Sequence, residues 1–207
     1  MRHTLAFSAA ALGAVAASAL FGTGWPALEL LVVAAVILLG VPHGALDVLH
    51  AGRALRLAGP SGWVLFTLGY VAVAAAVVGI WMVAPTVSLA AFLAISAFHF
   101  SGDLEGDVPV ALRAAHGASP IVLPALLHAE ELARLFGMLI PEAGAEALSS
   151  GLAAAAPVVL AALTLLLAVP VGRRLMGHPT SVPVAATAEA AAAAALTTLA
   201  PPLTAFA

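Results

Sequence analysis

Two histidine–aspartate pairs carry the chemical signal of this chain. His43 and Asp47 stand four residues apart in Gly40-Val41-Pro42-His43-Gly44-Ala45-Leu46-Asp47. His99 and Asp103 repeat the spacing in Phe98-His99-Phe100-Ser101-Gly102-Asp103. On a helix that spacing puts both side chains on one face. A neutral imidazole is a good ligand for iron, zinc or copper. A carboxylate one turn away can ligate beside it or hold a neighbouring imidazole in the right tautomer. The two motifs alone do not name the metal. The chain has no cysteine, so thiolate ligands and disulfides are excluded. Nitrogen and oxygen donors without sulfur suit non-haem iron better than a structural zinc.

Of the other five histidines, His116 and His128 are further candidates for the same site. His128 opens His-Ala-Glu-Glu, which also reads as the polar end of a helix. His3, His50 and His178 read as amphipathic side chains at a water boundary. Phe98 and Phe100 read as core or lipid-facing residues rather than a cofactor box.

The elements that position these pairs are apolar. Of 207 residues 63% are hydrophobic and 8% charged, with mean hydropathy +1.14. Soluble domains average about 25% charged residues. Composition therefore predicts an all-α polytopic transmembrane bundle, a single integral membrane domain over residues 1–207. Six or seven hydrophobic segments are expected. Residues 5–21 form the first; Ala17-Ser18-Ala19 fits a signal-peptidase site, but a retained span is preferred because further spans follow. Residues 27–39 close on the first His–Asp motif. Residues 63–83 are uncharged throughout and are the clearest span, ended by Pro85. Residues 86–100 are short and carry the second pair. Residues 117–128 hold Pro120 and Pro124 and read as a kinked or partial span packed inside protein. Residues 152–171 form the sixth. Residues 182–207 form the last, rich in alanine and interrupted by Pro201-Pro202. Between them, Gly59-Pro60-Ser61-Gly62 is a turn signal.

All seven cationic residues are arginine. With the N-terminus inside, Arg2, Arg53, Arg56, Arg113, Arg173 and Arg174 fall on one side and only Arg134 on the other, among Glu130, Glu131, Glu142 and Glu146. That is the positive-inside pattern of a plasma-membrane protein with a cytoplasmic N-terminus. It also puts His43 and His99 at one membrane face and His128 at the other. Gly40, Pro42 and Gly44 predict a break around His43, and irregular backbone at membrane depth is tolerated where it lines a cavity. A net charge of −3 points to no nucleic-acid partner. A membrane-embedded iron site suits oxidation of an apolar substrate by dioxygen.

The first motif resembles the first signature of the Brp/Blh family of bacterial and archaeal β-carotene 15,15′-dioxygenases. Phe98-His99-Phe100-Ser101-Gly102-Asp103 resembles the second, where the family commonly has glycine after the second phenylalanine. Gly117-Ala118-Ser119-Pro120-Ile121-Val122-Leu123-Pro124 with His128 resembles a third. Glu189 and Ala200-Pro201-Pro202-Leu203-Thr204-Ala205-Phe206 resemble the start of the last. The order and spacing cover most of the chain.

The resemblance implies a multi-span membrane enzyme with histidine-bound iron, Fe(2+). It implies cleavage of the central double bond of β-carotene by dioxygen into two retinals, which would supply a microbial rhodopsin. His43 and His99 match the metal-binding histidines; Asp47 and Asp103 match motif acids, assigned to support those histidines. The family also carries a close histidine pair shortly after Pro-Pro-Leu, whereas this sequence stops at Ala207. The expectation is that the C-terminal end is missing and that the 207-residue form alone is inactive. The rival reading is a transporter or proton relay using intramembrane His and Asp.

Overall fold

A computed structural model describes residues 52–55, 57 and 59–205. His43, Asp47, the segments at 5–21 and 27–39, and the topology assigned to Arg2 and Arg56 lie outside the described residues. Among the described residues every regular element is a helix, and residues 52–88 and 89–205 form two compact units.

In the first unit, α1 runs from Gly59 to Val83. Its 25 residues span about 37 Å, enough for a hydrocarbon core of about 30 Å. None of its side chains is buried within the protein, and it is apolar all round, as a lipid-facing helix must be. It starts four residues before the expected Trp63. Gly59 turns the chain with φ 69°, and Pro60 then occupies the first turn, where its missing N–H costs nothing. The turn signal is therefore also the helix start. Trp63, Phe66 and Tyr70 form an aromatic ladder up one side of α1, successive ring centroids 6.1 Å apart. Pro85 does end α1, and it also begins α2 (Pro85–Phe100), with only Ala84 between them.

The second unit holds most of α2, from Leu89 onward, and five further helices. These are α3 (Val110–Val122), α4 (Ala125–Phe136), α5 (Glu142–Leu175), α6 (Val184–Leu199) and the single turn α7 (Pro202–Ala205). α3 and α4 are together long and apolar enough for one membrane span but are bent by 53° at the break between them. This is the kinked segment expected around Pro120 and Pro124, though it extends over residues 110–136. α5 begins ten residues before the expected start at 152. Glu142 occupies its first turn and Arg173 and Arg174 its last, each favoured there by the helix dipole. An apolar window registers only the middle of such a helix. α6 presents Ala186, Ala190, Ala193, Ala194 and Thr197 as a buried stripe of small side chains, so its backbone can approach its neighbours closely. The core gathers Leu104, Leu112, Leu123 and Leu163 against Ala186 and Ala190.

Among the described residues two helices, α1 and α5, are long and apolar enough to cross a membrane, or three spans if the bent pair is one. α2 and α6 are apolar but have 16 residues each, about 24 Å of helix. The described residues thus account for two or three of the six or seven segments expected.

Arginines close one end of this unit. The Arg113 guanidinium donates to three carbonyls of one loop: Leu104 at 2.5 Å, Gly106 at 2.8 Å and Val108 at 3.3 Å. Arg173 donates to the Pro179 carbonyl at 2.8 Å. Arg174 donates to the Thr187 hydroxyl at 3.2 Å and to the Val182 carbonyl. The two loops touch: a Cβ on Gly106 would stand 2.7 Å from Pro183 Cγ. Gly106 also has φ 89°, so glycine is needed there twice over. Arg134 sits beside Glu142 and Glu146 at the far end of α5.

Candidate functional site

His99 lies in the last turn of α2, exposed, its ring 5.9 Å from that of Phe100. The helix stops at Phe100, so His99 and Asp103 do not share a helical face as their spacing predicts. Tighter turns carry the chain out: Gly102 N–H donates to the His99 carbonyl at 3.0 Å and Asp103 N–H to the Phe100 carbonyl at 3.2 Å. Gly102 is a poor helix residue, and beyond it the Leu104 carbonyl is held by Arg113 rather than by a helical N–H. Phe98 is 81% exposed, in keeping with a lipid-facing role.

His116 is the buried member of the set. It stands on α3 at 5% exposure, and its Nδ1 has no hydrogen-bond partner among the described residues. The next residue, Gly117, sits against the end of α2. A Cβ there would lie 2.2 Å from the Ala97 carbonyl oxygen and 2.8 Å from Ser101 Cα. With 3.8 Å between successive Cα atoms, this contact puts the His99 and His116 Cα atoms within roughly 16 Å of each other. Asp103 acts electrostatically on both His116 and Glu189, and Glu105 on Glu189. The end of α2, the middle of α3 and the middle of α6 therefore share one polar neighbourhood.

His128 belongs elsewhere. It sits in α4 at a break in helical geometry, with φ −128° and ψ 33°. Its Nδ1 is 4.0 Å from Glu131 Oε2, and its Nε2 is buried without a hydrogen-bond partner among the described residues. Twelve residues separate it from His116, about 16–18 Å of bent helix. Metal–nitrogen bonds of about 2 Å are too short to bridge that distance at one ion.

The donors fit iron by type, being imidazole and carboxylate without sulfur. Buried imidazole nitrogens without partners are what a ligand or a polar substrate group would satisfy. Among the described residues, however, no three histidines or carboxylates close on a common point. His43 and Asp47 lie outside that set.

Sequence reasoning named His99, Asp103, His116 and His128. It missed Gly117 as the contact that fixes the end of α2, and gave Glu189 no role of its own. A lone carboxylate in an alanine-rich helix was a signal that could have been read, because ionisable groups in apolar segments are costly. Gly117 opens the third motif, but nothing local marks it as a packing position, because its importance there is a contact with a distant segment.

The model of the beta-carotene 15,15'-dioxygenase family matches residues 34–207. A curated relative, a beta-carotene 15,15'-dioxygenase from an uncultured marine bacterium, 66A03, is 35% identical over 118 residues. That match covers 52% of this chain and 41% of the relative, so the chain spans less than half the length of the curated protein it matches. No solved structure matches the chain.

Proposed function

Because the chain belongs to the beta-carotene 15,15'-dioxygenase family, we propose that it takes part in cleaving β-carotene at the central 15,15′ double bond. One dioxygen is consumed, each of its atoms ends in one aldehyde, and two retinals result. The observation that carries this reading is the family match, which runs through both His–Asp motifs, 40–47 and 98–103.

On this reading His43 and His99 hold Fe(2+), with Asp47 and Asp103 orienting the imidazoles. His116 is a further candidate at the same place, whereas His128 stands too far along the bent pair of helices to share an ion with it. The bound iron would supply the oxygen chemistry. The chain's own residues supply position and dryness. Gly117 holds the turn that bears His99, and the apolar faces of the helices admit a long hydrocarbon from the bilayer while excluding water. The protein is placed in the inner membrane with its N-terminus and the Arg113–Arg173–Arg174 end cytoplasmic, by the positive-inside rule. Retinal released into the bilayer would reach a microbial rhodopsin.

A proton relay is the second reading. It is favoured by His116 and Glu189, two ionisable groups on largely apolar helices.

Expression of the protein in carotene-producing bacteria separates the two. Retinal should appear as β-carotene falls, in a ratio approaching two to one. Unchanged carotene with no retinal, from protein shown to be present in the membrane, would refute the enzyme reading.

A further inference from the structure

A cavity of about 360 Å³ opens where the last turns of α5 meet the 176–183 loop. Its wall on α5 is formed by Leu166, Val169, Pro170 and Arg173. These are residues i, i+3, i+4 and i+7, a single helix face rising about 10 Å from apolar to cationic. The loop adds Thr180 and Ser181 beside the guanidinium. Arg173 spends its Nε on the Pro179 carbonyl, 2.8 Å away, which fixes the plane of the fork. Its two terminal nitrogens have no hydrogen-bond partner among the described residues, in contrast to Arg113 and Arg174, which are committed to loop carbonyls.

We propose that this cavity binds an anionic membrane phospholipid. The phosphate sits on Arg173, Thr180 and Ser181, and the start of one acyl chain lies along Pro170, Val169 and Leu166. Guanidinium suits phosphate through paired N–H donors, and two hydroxyls can serve its remaining oxygens. The occupant is a lipid rather than free phosphate because most of the wall is hydrocarbon. A free ion would leave Leu166 and Val169 wet, whereas a lipid covers them and the polar rim together. Position agrees, since α5 is long and apolar enough to span a bilayer, and the cavity is at its cationic end. Basic pockets at the ends of membrane helices are where anionic head groups dock. This inference rests on the membrane character of the chain and not on the proposed enzymatic activity.

Native mass spectrometry of the full chain from detergent, loaded with phosphatidylglycerol or with phosphatidylcholine of the same acyl chains, tests it. The wild type should retain phosphatidylglycerol at least several-fold over phosphatidylcholine, and millimolar inorganic phosphate should not displace it. Arg173→Gln should bring the two lipids level, Arg173→Lys should keep a partial preference, and Arg134→Gln at the far end should change nothing. Val169→Trp fills the hydrocarbon wall without touching the charge and should also expel the lipid, so the test survives if Arg173→Gln proves unstable. Equal retention of both lipids by the wild type, full retention by Val169→Trp and Arg173→Gln, or displacement by inorganic phosphate would each overturn the proposal.

Discussion

His99 ends α2 and His116 stands in the middle of α3, and their surroundings differ accordingly. His99 is exposed on the last turn of α2, while His116 is 5% exposed and its Nδ1 has no partner among the described residues. The difference follows from Gly117, whose missing side chain lets α3 press its backbone onto residues 97–101. Gly117→Ala would force a methyl into a carbonyl oxygen and an amide that cannot rotate away. The expected cost is about 1–3 kcal/mol, as for other overpacked sites, read as a lower thermal midpoint in detergent. On the proposed activity, His99→Ala should abolish retinal formation and iron retention together in the complete protein. Asp103→Asn should lower either by about 10–100-fold, the usual effect of a residue that orients a ligand. Retinal yield and iron content of the purified variants check both, and a fully active His99→Ala would remove His99 from the site. The residue types were legible in the sequence. Which imidazole is buried was not, because burial here is decided by a contact between segments some 20 residues apart.

The helices follow from composition, and their ends follow from groups that composition averages away. Apolar windows give the centres of α1 and α5, but Pro60, Glu142 and the Arg173–Arg174 pair extend each helix into polar sequence. The His99–Asp103 spacing assumes a helix that Gly102 ends first. The 101–109 loop is then shaped by Arg113, whose fork takes the carbonyls of Leu104, Gly106 and Val108. Leu104 and Val108 are core residues, so this one side chain ties a charged surface loop to the interior. Arg113→Ala leaves three carbonyls without that donor. Charge-assisted hydrogen bonds contribute about 1.5–3 kcal/mol each at most, so a loss of about 2–3 kcal/mol is expected after water replaces the exposed one. Arg113→Lys should recover little of it, because an ammonium cannot fork to three acceptors at once. Urea or thermal unfolding of the two variants gives the comparison, and a lysine variant as stable as wild type would show that charge alone is enough.

At the scale of the whole molecule the arginines report orientation. Arg113, Arg173 and Arg174 are gathered by two touching loops, whereas Arg134 keeps company with Glu142 and Glu146 at the opposite end of α5. The 34 residues of α5 cover about 51 Å of helix, well beyond a hydrocarbon core of about 30 Å. A helix that long and apolar has to leave both ends in water, because charged groups at its termini cannot remain in lipid. The ends of α5 should therefore emerge on opposite sides of the membrane. The chain contains no cysteine, so single substitutions give clean labels. Met138, 66% exposed before α5, and His178, exposed just after it, are the positions to use. With an impermeant maleimide on intact cells, Met138→Cys should react and His178→Cys should react only after lysis, if the arginine-rich end faces the cytoplasm. The reverse pattern would keep the crossing and invert the orientation. Equal labelling of both positions in intact cells would mean that α5 does not cross.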